Sequence, residues 1–186
     1  HSILVDPQDN NHLYIAISCA GVFESKDAGA SWQPRNKGLK AEFLPDPDAE
    51  IGHDVHMLKA CKNNFRTLWQ QNHCGIYRSV DGGANWLDVG QKDGPADFGF
   101  AIAVDDDNPD VAWVIPAQKD EYRVAINQVL QVCRTDDGGK NWQSFTQGLP
   151  QMHCYDLVYR HALAVRGDNL LFATTTGNLF LSENRG

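Results

Sequence analysis

One eight-residue pattern occurs three times: Ser25-Lys26-Asp27-Ala28-Gly29-Ala30-Ser31-Trp32, Ser79-Val80-Asp81-Gly82-Gly83-Ala84-Asn85-Trp86 and Thr135-Asp136-Asp137-Gly138-Gly139-Lys140-Asn141-Trp142. Self-similarity at a period of roughly 50 residues implies one supersecondary unit stacked on copies of itself, because a single unit cannot bury its own apolar face. Each copy follows a short apolar run (Gly21-Val22-Phe23, Gly75-Ile76-Tyr77, Leu130-Gln131-Val132-Cys133) and ends on a Trp. That is the chemistry of a tight turn between two strands. The Asp accepts bonds from backbone N–H groups of its own turn, the opening Ser or Thr satisfies another, and Gly29, Gly83 and Gly139 admit positive φ. Trp32, Trp86 and Trp142 are then expected to be buried between neighbouring units.

A weaker repeat marks the first hairpin of each unit. Val5-Asp6-Pro7-Gln8-Asp9-Asn10-Asn11-His12-Leu13-Tyr14 is echoed by Val104-Asp105-Asp106-Asp107-Asn108-Pro109-Asp110-Val111-Ala112-Trp113, and more faintly over 59–69 and 165–172. Each reads as strand, polar turn, strand. A fourth copy of the main pattern opens at Ser182-Glu183-Asn184-Arg185-Gly186, with Asn184 in place of Asp.

The pattern Ser/Thr-x-Asp-x-Gly-x-Ser/Thr/Asn-Trp resembles the Asp-box, or bacterial neuraminidase repeat, of β-propellers such as sialidases, xyloglucanases, sortilin-type receptors and photosystem assembly factors. The resemblance covers essentially all 186 residues. It implies an all-β propeller of four-stranded antiparallel blades, in a partial ring with blades at about 1–40, 53–92, 98–150 and an incomplete 155–186. Ser25, Asp27, Gly29, Trp32, Ser79, Asp81, Gly83, Trp86, Thr135, Asp137, Gly139 and Trp142 are read as architectural. Propellers close with roughly 4 to 8 blades, so an open arc leaves two apolar flanks. Several hundred Å² left wet on a flank forgoes about 10 kcal/mol at about 25 cal/mol per Å². The expected partner is therefore another copy of the chain, or missing blades of the same protein, with the edge at 177–182 offering a template for an incoming strand.

Composition agrees with a β-protein that builds sheet-on-sheet cores: 42% hydrophobic residues, eight Phe, five Tyr and five Trp. No apolar run reaches the length of a membrane span. A net charge of -8 with no basic stripe argues against nucleic acid or an anionic membrane as partner. Cys19, Cys61, Cys74, Cys133 and Cys154 are an odd set without a Cys-x-x-Cys pair, and read as free thiols in a reduced, cytoplasmic setting. The chain opens at His1 without a Met, so export through a lost leader stays open.

Topology sorts the loops. The repeated turns fall on one rim; loops between second and third strands, and the lead-ins to each inner strand, fall on the other, where propeller sites generally sit. The loops of that upper rim are 70–75, 116–123 and 174–177, and the lead-ins are 52–56, 97–100 and 152–156. They gather His53, Asp54, His56, His73, Glu121, Tyr122, Arg123, Tyr155 and Asp156, a mixture suited to sugar hydroxyls, a carboxylate or a metal ion. The His53-Val55-Met57 and Asp54-His56-Leu58 sets alternate to opposite strand faces, which favours structural histidines over a metal site, and no cofactor is expected.

Two function classes follow. The favoured one is a binding module for a glycan, peptide or protein partner acting through the upper rim. The alternative is a glycoside hydrolase. A sialidase of the resembled kind needs three carboxylate-gripping arginines, a Tyr/Glu pair and an early Arg-Ile-Pro-type motif, and none is present; Arg78 and Arg134 adjoin the repeated turns, towards the wrong rim. A xyloglucanase-like inverting enzyme needs two carboxylates about 6.5 to 9.5 Å apart, for which Asp54 and Asp156, at equivalent lead-ins of the second and fourth blades, are the candidates.

Overall fold

Polar turn clusters every few residues cut this chain into short hairpins, and a computed structural model describes all residues 1–186. Four antiparallel sheets follow one another along the chain. The first runs β1 (Ser2–Asp6), β2 (Asp9–Ile17), β3 (Gly21–Ser25), β4 (Gln33–Pro34), and the second β5 (Val55–Cys61), β6 (Asn64–Asn72), β7 (Gly75–Ser79), β8 (Leu87–Asp88). In the third, β9 (Gly99–Val104) and β10 (Ala112–Lys119) are joined by β11 (Tyr122–Ala125), β12 (Val132–Thr135) and β13 (Gln143–Phe145). The fourth holds β14 (Leu163–Arg166), β15 (Asn169–Ala173) and β16 (Leu179–Ser182). The outer edge of β16 is unpaired.

Every repeated turn closes with the same bonds. Ser25 Oγ donates to Asp27 at 2.8 Å and accepts from the Gly29 N–H at 2.8 Å, while Asp27 accepts from the Ser31 N–H at 2.8 Å and its hydroxyl at 2.6 Å. The second and third turns reproduce all four contacts at 2.6 to 2.9 Å. In the fourth, Ser182 donates to Asn184 at 2.7 Å and accepts from Gly186 at 2.8 Å, so the amide replaces the carboxylate. Ala28, Gly82, Gly138 and Arg185 take equivalent positive φ values, and each N–H bonds a carbonyl of the first hairpin of its own sheet (Asn11, Arg66, Asp110, Asp168). At Gly139 the demand is also steric, since a Cβ there would lie 2.6 Å from Val89.

These turn bonds hold the carboxyls of Asp27 and Asp137 down to about 2, chiefly through the side chains of Ser31 and Asn141. Carboxylates depressed from 3.8 in this way contribute stability that is complete above that pH and drains away as pH falls towards 2. Circular-dichroism melts should show the melting temperature dropping through this window, with a shallower drop in Asp27→Asn/Asp137→Asn. An equally steep drop in the double variant would contradict that assignment.

Sheets stack face to face. Tyr14, Val22, Leu58, Leu68 and Trp86 fill the first interface; Met57, Trp69, Ile102, Val114 and Trp142 the second; Ala101, Trp113, Val132, Leu163 and Phe172 the third. The β9 strand is buried on both faces, which explains its unbroken apolar run. Trp86 and Trp142 sit buried between sheets, donating from Nε1 to Arg35 O and Val89 O at 2.8 Å. Trp32 departs from expectation: it is half-buried, because it lies on the open flank of the first of these four sheets. A second aromatic layer reaches forward, as Tyr14 bonds Gly82 O, Trp69 bonds Pro109 O and Trp113 bonds Arg185 O at 2.9 to 3.0 Å. Ile3, Val5 and Ile17 remain exposed on the first sheet and Leu171, Leu179 and Leu181 on the last.

Three expected segments differ. The 116–123 loop is mostly strand, because β10 continues to Lys119 and turns back into β11. Residues 70–72 belong to β6, which leaves only His73-Cys74 as a turn. The inner strand of the last sheet starts at Leu163, after a 3₁₀ turn at Arg160–Ala162, so Asp156 precedes its strand by seven residues whereas Asp54 precedes β5 by one. Those two aspartates therefore do not occupy equivalent positions. All five cysteines are free thiols. No helix is long and apolar enough to cross a membrane.

Candidate functional site

The upper ends of β5 and β9 share an irregularity that builds the site. In β5, Val55 pairs with Asn72 and Met57 with Gln71; in β9, Gly99 pairs with Pro116 and Ala101 with Ile115. His56 and Phe100 are the extra residues of two β-bulges, at the same place in successive sheets. Their rings stack at 4.5 Å between centroids and 19° between planes. The bulge overturns the alternation expected along 53–58: Val55 and Leu58 pack together towards the first sheet, while Met57 faces the third.

Around His56 the structure gathers Asp54 and His73. Asp54 Oδ2 lies 3.7 Å from both His56 Nε2 and His73 Nδ1, distances of charge contact rather than hydrogen bonding. Ser18, from the loop after β2, donates to the other carboxylate oxygen. The Asp54 carboxyl is held far below the usual range, first by His56, then by Ser18, against an opposing effect of burial. His56 Nδ1 is 2.7 Å from Gly99 O. His73 stands edge-on to Phe43 at 5.2 Å and Phe98 at 6.1 Å.

Towards the fourth sheet the rim turns aromatic and cationic. Arg123 lies over Phe100 at 5.4 Å, pairs with Asp120 at 2.7 Å and reaches the Tyr159 hydroxyl at 3.5 Å. Arg160 bonds His56 O at 3.1 Å and also faces Phe100.

The remaining candidates lie elsewhere. His53 is buried with Nε2 against Ala49 O at 2.7 Å, and burial pushes its imidazole down. Asp156 is buried, accepting from Thr174 at 3.1 Å, from Thr176 and from the Cys154 thiol, so it ties the 174–178 loop to its own segment. Glu121 and Tyr122 are exposed at the β10–β11 tip, and Tyr155 is exposed with its hydroxyl on Gln128. Sequence reasoning missed Ser18, Phe43 and Tyr159. Only the repetition of a bulky ring at the lead-in, Phe98-Gly99-Phe100 against His53-Asp54-Val55-His56, hinted at the stacked pair.

No protein-family model matches the chain. Over 110 residues it is 34% identical to a xyloglucanase of a Paenibacillus species, a match covering 50% of this chain and 10% of that protein's length. The chain thus corresponds to about a tenth of the curated relative it matches. Among solved structures, an ancestral GH74 enzyme superposes with a TM-score of 0.72 at 18% identity, over 100% of this chain and 23% of the other. The fold is that of a β-propeller. A GH74 enzyme of Niastella koreensis gives 0.65 at 14% identity over 99% and 28%, and YCF48 of Cyanidioschyzon merolae 0.54 at 17% over 97% and 54%. In this propeller the repeated turns line one rim, and Asp54, His56 and His73 stand at the other.

Proposed function

We propose that these blades form a carbohydrate-binding module working through the upper rim, with Asp54, His73 and Phe98 at its centre. A sugar presents hydroxyls that need hydrogen-bond partners and a C–H face that packs on aromatic rings. The observation that carries the reading is the exposed Phe43 and half-buried Phe98 standing on either side of a His73 and Asp54 that are themselves partly open. Similarity to a xyloglucanase over half the chain supports xyloglucan oligosaccharides as the first ligand class to try.

Hydrolysis by these residues alone fits less well, because the second candidate carboxylate, Asp156, already serves three donors. A hydrolase would need its other carboxylate from outside this set. A glycan array run beside a screen of fluorogenic glycosides separates the readings. Retention on β-glucan spots without turnover is the expected outcome. Turnover that Asp54→Asn abolishes would replace the module with an enzyme.

A further inference from the structure

We infer that Asp54, His56 and His73 form a binding site for a divalent transition-metal ion of the zinc class. The three ligand atoms, one from each residue, lie within 4.8 Å of one another. Only an Nδ1–H can bond the Gly99 carbonyl at 2.7 Å, so Nε2 of His56 is the ring nitrogen whose lone pair is open to an ion that displaces its proton. That nitrogen and His73 Nδ1 both face Asp54 Oδ2 at 3.7 Å, too far for hydrogen bonds. His73 Nδ1 is also shielded from solvent without any hydrogen-bond partner, a costly state for a polar atom.

An ion resolves all of these contacts at once. Tetrahedral zinc with bonds of about 2.0 to 2.1 Å sets its ligand atoms about 3.3 Å apart. Two separations already stand within a few tenths of an ångström of that, and the third closes by a turn of His73, which sits half-exposed in the β6–β7 turn. The surrounding shell is of the kind that orients metal ligands: the Gly99 carbonyl fixes the His56 tautomer and Ser18 anchors the far oxygen of Asp54. Three protein ligands leave a position for solvent or a ligand hydroxyl, beside a groove of about 610 Å³ lined by His73, Phe43, Cys74 and Asp97. The competing occupant is a proton, since an imidazolium at His56 or His73 would balance Asp54 unaided.

The inference does not rest on the carbohydrate reading, because the metal is measured without sugar. Protein stripped with a chelator and titrated with Zn²⁺ by calorimetry should bind one ion per chain, with a rise in melting temperature. Co²⁺ in its place should give an absorption spectrum without thiolate charge-transfer bands. His73→Gln, at a half-exposed position that need not disturb folding, should abolish one-site binding, and Ser18→Ala should weaken it about tenfold. A Cys19→Ser/Cys74→Ser variant should bind as the parent does. Absence of saturable Zn²⁺ binding, survival of binding in folded His73→Gln, or its loss in the double Cys variant would overturn the site.

Discussion

Trp86→Ala should lower stability by about 3 to 5 kcal/mol, the cost of emptying a large buried site. Its ring is 3% exposed, fills the interface between the first two sheets and donates to Arg35 O at 2.8 Å. Removing it opens a cavity and takes this donor from the Arg35 carbonyl. Trp32→Ala in residues 1–186, at the same place in the repeat, should cost less than half as much, because Trp32 is only half-buried there. Urea unfolding of both variants measures the difference. Equal losses would mean that the stacking between sheets is not what makes the repeated Trp matter.

The second large effect concerns the open side of the last sheet. Between the third and fourth sheets lies a cavity of about 660 Å³ lined by Val132, Phe145, Leu149, Phe172, Phe180 and Gly186. It occupies the place that Trp86 and Trp142 fill in the earlier interfaces, and the fourth repeated turn is already closed beside it. We propose that a Trp-led outer strand is its occupant, supplied by further blades of the same protein or by a second copy. Extending the chain past Gly186 with the second sheet's own Ala-Asn-Trp-Leu-Asp should raise the melting temperature by about 10 °C, taking about 3 kcal/mol for a buried Trp and about 2 to 4 °C per kcal/mol. The same extension with Ala for Trp should give little. Equal gains from both would show that the cavity does not select an indole.

Much of the architecture is written in the turns. The residues that close each turn, such as Ser79, Asp81 and Gly83, are the ones that repeat, so the outermost hairpin of each of the first three sheets is readable without coordinates. The weaker repeat ends on Tyr14 and Trp113, whose forward bonds to the next sheet follow from that position. Strand alternation fails at 53–58 because a one-residue bulge at His56 shifts every side chain after it, and register between strands is a tertiary property. Reading Asp54 and Asp156 as equivalent assumes that each inner strand begins at a fixed distance from its lead-in. Residues 155–162 instead spend themselves on Thr175, His56 and His1 before β14 starts. The exposure of Trp32 comes from what stands next to it, which no local pattern records.

Calorimetric titration of xyloglucan oligosaccharides into the parent chain, Phe98→Ala and Lys26→Ala tests most directly whether the rim opposite the repeated turns binds carbohydrate. Phe98 borders His56 and His73, whereas Lys26 is exposed on the first repeated turn. The prediction is saturable binding to the parent and to Lys26→Ala, with affinity about tenfold lower in Phe98→Ala, which corresponds to about 1.4 kcal/mol of lost stacking. No binding to the parent, or equal affinity in Phe98→Ala, would contradict it.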